Sequence, residues 1–278
     1  MRDPSPLRPD EVLFFLHIPK TAGVSLYEII TPNFAPDETF PVSELLGNEG
    51  IFKTLSAQQL ARTRCVHGHF WFGAGDRAVH DFLDPDPVII TLLRDPIART
   101  ISVYQFTTAK PTEVWLSKAI VHPELETYEL EDVSLNGDDL DFIKSMSLED
   151  FLRHPDVEDQ VRNLQARVIV GRDAFGDRRG QLDFSDEELL RRAKERLDRF
   201  AFVGLSDRVE ESVELLAETF CWQPPTGIPR LNRSPVRSES FELSPEALDA
   251  ISELTKVDRE LYEHAQRLFD VRVGAVAG

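Results

Sequence analysis

Residues 11–30 read EVLFFLHIPKTAGVSLYEII, and they decide the fold. The run Glu11 to His17 is short, apolar and uninterrupted, as expected of a strand buried on both faces of a parallel sheet. It stops at Ile18-Pro19. Apolar spacing from Ser25 to Ile30 then predicts a helix, which Pro32 ends. Between them lies the turn from a buried strand to a helix N-terminus, where converging backbone N–H groups and the helix dipole suit an anion. Lys20 adds a mobile cation, Thr21 and Ser25 add hydroxyls, and Gly23 allows close backbone approach. The spacing differs from the nucleoside-triphosphate loop, in which the lysine follows the glycine.

Further strands and helices alternate outward from this stretch. A short helix around residues 56–62 leads to a strand at Arg64-Cys65-Val66 that ends on His67-Gly68-His69. Pro87 to Leu93 is apolar and β-branched and ends at Arg94-Asp95-Pro96. Asp95 is suited to cap a helix from Ile97 to about Thr107. Residues 35–50 read as irregular, and residues 110–141 as a surface insertion or lid. Later helices are expected from Ser147, over Val157 to Val170 with Gly171 as terminator, from Ser185 to about Asp198, over Val209 to Phe220, and within Ser244 to Phe269. Phe200 to Gly204 reads as another strand. The pattern predicts one α/β domain over residues 1–278: a three-layer fold resembling the P-loop class, with a mostly parallel central sheet flanked by helices. Residues 1–10 are expected to form a flexible N-terminus.

Composition narrows the function. Hydrophobic residues make up 41% and charged residues 29%, ordinary for a globular chain. A formal net charge of −18 disfavours nucleic acid and anionic membranes as partners. No apolar run of transmembrane or signal-peptide length occurs, so the expected location is cytoplasmic. The two cysteines, Cys65 and Cys221, are expected to be buried free thiols rather than a disulfide or metal site.

Two long segments resemble a known family. HIPKTAGVS, residues 17–25, resembles the 5'-phosphosulfate-binding loop of carbohydrate sulfotransferases related to the heparan sulfate and uronyl 2-O-sulfotransferases. LRDPIARTISVY, residues 93–104, resembles their 3'-phosphate-binding segment. Asn163 to Arg167, Phe202 to Leu205 with Ser212, and Asp258 to Tyr262 resemble later blocks of the family. The resemblance implies that 3'-phosphoadenosine 5'-phosphosulfate (PAPS) is the sulfuryl donor and 3',5'-adenosine bisphosphate (PAP) the product, without a metal. It places Lys20 at the sulfate and leaving oxygen, and Thr21, Ala22, Gly23, Val24 and Ser25 around the 5'-phosphate. Arg94 and Ser102 fall at the 3'-phosphate, and Asn232 and Arg233 in a basic loop closing over the nucleotide. His67-Gly68-His69 resembles the segment carrying the general base, with His69 as base and His67 as support or acceptor contact. The implied acceptor is a hydroxyl on a glycan or glycosylated small molecule, against which Phe70, Trp71 and Phe72 could stack. Two other classes are a kinase-like enzyme using ATP and a non-catalytic nucleotide-binding protein.

Overall fold

A computed structural model describes residues 1–43, 56–69, 87–109, 137–171, 184–224, 227 and 242–276. Five strands, β1 (Leu13–Leu16), β2 (Thr39–Ser43), β3 (Cys65–His69), β4 (Val88–Leu93) and β5 (Phe202–Leu205), form one sheet in the order β2-β3-β1-β4-β5. Every pairing is parallel. Helices flank the sheet, giving the expected three-layer α/β architecture. Every residue of β1 and β5 is buried, which explains why both read as continuous apolar runs rather than alternations.

The sheet corrects the reading of residues 35–50 as irregular, because β2 lies within them at an edge. Pro41 sits in β2, and proline is tolerated in a sheet only where one side lacks a ladder partner. Another correction concerns residues 157–170, which form two helices, Pro155–Val161 and Leu164–Val170. Asn163 separates them with φ 44°, a left-handed conformation that asparagine tolerates better than most residues. Within the expected insertion, residues 137–141 open the helix Gly137–Ser145, while 110–136 lie outside the described residues. Cys65 is buried, and burial pushes its thiol up to about 12; Cys221 is exposed, against expectation.

Residues 1–10 hold no helix or strand, but they are tied to the body. Arg2 N–H donates to Ala201 O at 2.8 Å, and its guanidinium pairs with Glu11 at 2.9 Å. Among the described residues no helix is long and apolar enough to cross a membrane.

Strand ends at the carboxyl edge are closed by side chains. Thr91 Oγ1 donates to Leu16 O at 2.9 Å, binding the end of β1 to β4. Beyond β5, Ser212 Oγ accepts from Leu205 N at 2.9 Å and donates to Leu205 O at 3.0 Å, fully buried. Ser212→Ala strips both partners from a buried peptide, so it should cost about 1–3 kcal/mol. Urea unfolding followed by circular dichroism should show a lower midpoint at an unchanged slope.

Candidate functional site

Parallel strands place their following loops at one edge, and β1, β3 and β4 all end there. The loop after β1 runs from His17 to Ala22 and enters α1 (Gly23–Ile30). Lys20 and Ala22 have φ 70° and 68°. Non-glycine residues in this region cost on the order of 1 kcal/mol each, so the surroundings must hold them there.

Two arginines supply that hold. Arg94, one residue beyond β4, donates from Nη1 to Lys20 O at 3.1 Å. Arg99, on α3 (Ala57–Arg62 being α2, and Pro96–Ala109 α3), donates from Nε to Pro19 O at 3.0 Å and from Nη2 to Gln160 O at 3.0 Å. In a trans peptide the N–H points opposite to the carbonyl oxygen. With the oxygens of Pro19 and Lys20 turned to the arginines, the N–H groups of Lys20 and Thr21 face the other way. The loop thus offers donors on one side and leans on cations at its back.

The remaining loop positions have distinct tasks. Thr21 is fully buried and its hydroxyl donates to Ile18 O at 2.9 Å, so its proton serves the turn itself. Ser25 is buried in the first turn of α1, whereas Ala22 and Val24 are exposed. A methyl group on Gly23 would come within 1.9 Å of the His17 ring, so Gly23 makes room for that imidazole. His17 also stacks on Phe15, at 5.5 Å between ring centroids. Lys20 Nζ lies 4.0 Å from the centroid of Phe106 on α3, a cation–π contact that draws the ammonium toward the helix carrying Ser102. Ser102 is buried.

Asp95 caps α3 as the sequence predicts, its Oδ1 accepting from Ala98 N at 2.8 Å. Burial lowers the Arg94 pKa, and the charges of Asp95 and Asp207 oppose that shift. On β3, His67 is level with Phe15, buried, and packed at 4.1 Å from the Tyr27 ring. His69 occupies the last position of β3, at the same edge. Asn232, Arg233 and Phe70 to Phe72 lie outside the described residues.

Arg99, Gln165 and Asp258 hold this edge together, although the sequence assigned none of them a role. Arg99 and Asp258 are each only 1% exposed. Burial brings Arg99 down to about 10, opposed by Asp258. It pushes Asp258 up to about 6, opposed by the N–H groups of Ala166 and Gln165 and by Arg99 and Arg167. The signal of Arg99, Gln165 and Asp258 was the presence of polar residues within the blocks 163–167 and 258–262 and of a second arginine, Arg99, within the segment 93–104.

No protein-family model matches the chain. Curated relatives do. Heparan-sulfate 6-O-sulfotransferase 2 of Danio rerio is 26% identical over 289 aligned positions, covering 95% of this chain and 59% of the relative. Heparan-sulfate 6-O-sulfotransferase 2 of Gallus gallus is 30% identical over 188 positions, 65% of this chain and 43% of the relative. Heparan-sulfate 6-O-sulfotransferase 3-B of Danio rerio is 27% identical over 184 positions, 65% and 42%. The chain spans about half the length of these relatives. They carry 6-O names, whereas the motif resemblance pointed to the 2-O and uronyl group.

Gly23→Ala forces the new methyl into the His17 ring and should destabilise the fold by about 1–3 kcal/mol. Combining it with His17→Ala should recover part of that loss, a coupling readable from urea unfolding of the three variants. Asp258 gives a pH signature. Its folded pKa, about 6, lies above its ordinary 3.8, so between these values the folded chain keeps a proton that the unfolded chain has released. The stability of the wild type relative to Asp258→Asn should therefore be greatest in acid and fall as pH rises through about 6, measured by thermal melts across that range.

Proposed function

We propose that this chain is a sulfotransferase that moves a sulfuryl group from PAPS to a carbohydrate hydroxyl. The observation that carries this reading is the loop of residues 17–25 braced from behind by Arg94 and Arg99, with its Lys20 and Thr21 N–H groups facing the other way. Similarity to sulfotransferases along 95% of the chain supports it independently.

The geometry suits a donor with two separated anionic groups. The loop N–H groups of residues 20–24, at the start of α1, take the 5'-phosphosulfate. Arg94 and Ser102, on the β4–α3 side of the loop, take the 3'-phosphate; a guanidinium offers several donors in a planar fork, and the contact to Lys20 O uses one. Lys20 stands between these groups and is held near α3 by Phe106.

In the reaction the acceptor oxygen attacks sulfur, the bond between sulfur and the bridging oxygen breaks, and PAP departs with the electron pair. Lys20 offsets the charge that grows on that oxygen, an interaction stronger in the transition state than in the bound donor. The acceptor proton passes to a neutral imidazole. We assign this role to His69, at the strand end, with His67 supporting it beneath on the ring of Tyr27. The relatives are named for heparan sulfate, and a glycan hydroxyl is the acceptor class assigned here. With a net charge of −18, such an acceptor needs a locally basic approach.

Calorimetric titration should show PAP binding to the wild type, binding lost in Arg94→Ala, and no comparable affinity for ATP. With labelled PAPS and a glycan panel, Lys20→Ala should lower turnover by about 100-fold or more. Equal binding of ATP with Mg2+-dependent turnover would replace this reading with a kinase-like one. PAP binding without transfer to any acceptor, indifferent to His69→Ala, would leave a non-catalytic nucleotide-binding protein.

A further inference from the structure

Arg94 has a second set of contacts, through its backbone. Beyond Leu93 the ladder to β5 has ended, so the peptide groups of Arg94 have no strand partner there. Gln165 replaces one. Its Oε1 accepts from Arg94 N at 3.0 Å and its Nε2 donates to Arg94 O at 2.9 Å, a two-point clamp that continues β4 by one rung. Gln165 is only 1% exposed. A primary amide is the side chain that offers an acceptor and a donor side by side; a carboxylate lacks the donor, and a thioether has no donor and only a weak acceptor.

The clamp is itself held. Gln165 lies in the first turn of the helix Leu164–Val170, where its N–H donates to Asp258 Oδ2 at 3.1 Å and Ala166 N–H to Asp258 Oδ1 at 2.8 Å. Asp258 belongs to the first turn of the final helix, Lys256–Val276. That helix is capped in return, Asn163 Oδ1 accepting from Val257 N at 3.0 Å. Each helix N-terminus is thus closed by a side chain from the other. A continuous path runs from the final helix through Asp258 and Gln165 to the Arg94 backbone, and from the Arg94 guanidinium to Lys20 O.

We propose that Gln165, held by Asp258, is a positioning residue for Arg94, so that affinity for the donor's 3'-phosphate depends on an amide that itself touches no ligand. The inference rests on the donor reading above, and its test separates the two. PAP and its analogue without the 3'-phosphate, adenosine 5'-phosphate, are titrated calorimetrically into the wild type, Gln165→Glu, Gln165→Met and Arg94→Ala, with folding of each checked by circular dichroism at the assay temperature.

The expected result is an affinity for PAP lowered about tenfold or more in a folded Gln165 variant, the equivalent of one lost hydrogen bond. Affinity for adenosine 5'-phosphate should fall less, because Arg94 reaches the 5'-phosphate only through its brace on Lys20 O, so the preference for PAP shrinks. Gln165→Met in an Arg94→Ala background should add no further loss. A residue that merely supports packing would lower the melting temperature and leave the ratio of the two affinities as in the wild type, which overturns the positioning role while the donor reading stands. A wild type with no preference for PAP overturns both. Should Gln165→Met fail to fold, the near-isosteric Gln165→Glu decides by the same ratio. Should both fail, Asp258→Asn does so: it keeps an acceptor for one of the two N–H groups, and an unaltered ratio there again overturns the proposal.

Discussion

The structure depends on a cation placed where cations are expensive. Arg99 is only 1% exposed, and burying a charged group costs on the order of several kcal/mol unless its donors and its charge are answered. Its answers are the carbonyl oxygens of Pro19 and Gln160 and the charge of Asp258, itself 1% exposed. Remove any one and another buried polar group loses its partner. The positive φ values at Lys20 and Ala22 persist on this support, because the peptide oxygens before and after Lys20 are both held by guanidinium groups.

A second constraint follows from parallel topology. Where a central strand ends, its last peptide groups are still buried and the ladder can no longer satisfy them. The chain solves this with side chains: Thr91 at the end of β1, Gln165 just beyond β4, Ser212 at the end of β5. Gln165 in the block 163–167 and Ser212 beyond β5 are thereby explained as strand terminators. The carboxyl edge of the sheet therefore keeps its last peptide groups bonded where the ladder has run out.

The sheet was legible wherever strands were buried on both faces. β1, β4 and β5 announce themselves as apolar runs, and the turn after β1 identifies the loop without any coordinates. The edge strand Thr39–Ser43 was not legible, since Pro41 breaks the pattern on which strand recognition relies. The break at Asn163 was hidden for the opposite reason: apolar periodicity continues across it, and only a left-handed residue reveals that two helices meet. Gly23 was read as giving room to a ligand, yet the neighbour that needs the space is the His17 ring, a contact local spacing does not specify. Gln165 and Asp258 were quoted only as matching segments, because their partners lie 71 and 93 residues away in the chain.

That separation bears on how the protein is made. The loop of residues 17–25 leaves the ribosome well before Asp258 does. The Gln165 clamp behind Arg94 is seated only when Asp258 arrives, 93 residues after Gln165 itself. Closing so long a loop is slow compared with forming local structure. During synthesis the loop therefore exists first without the helix that seats Gln165, and the support behind Arg94 is completed only once Asp258 has been made.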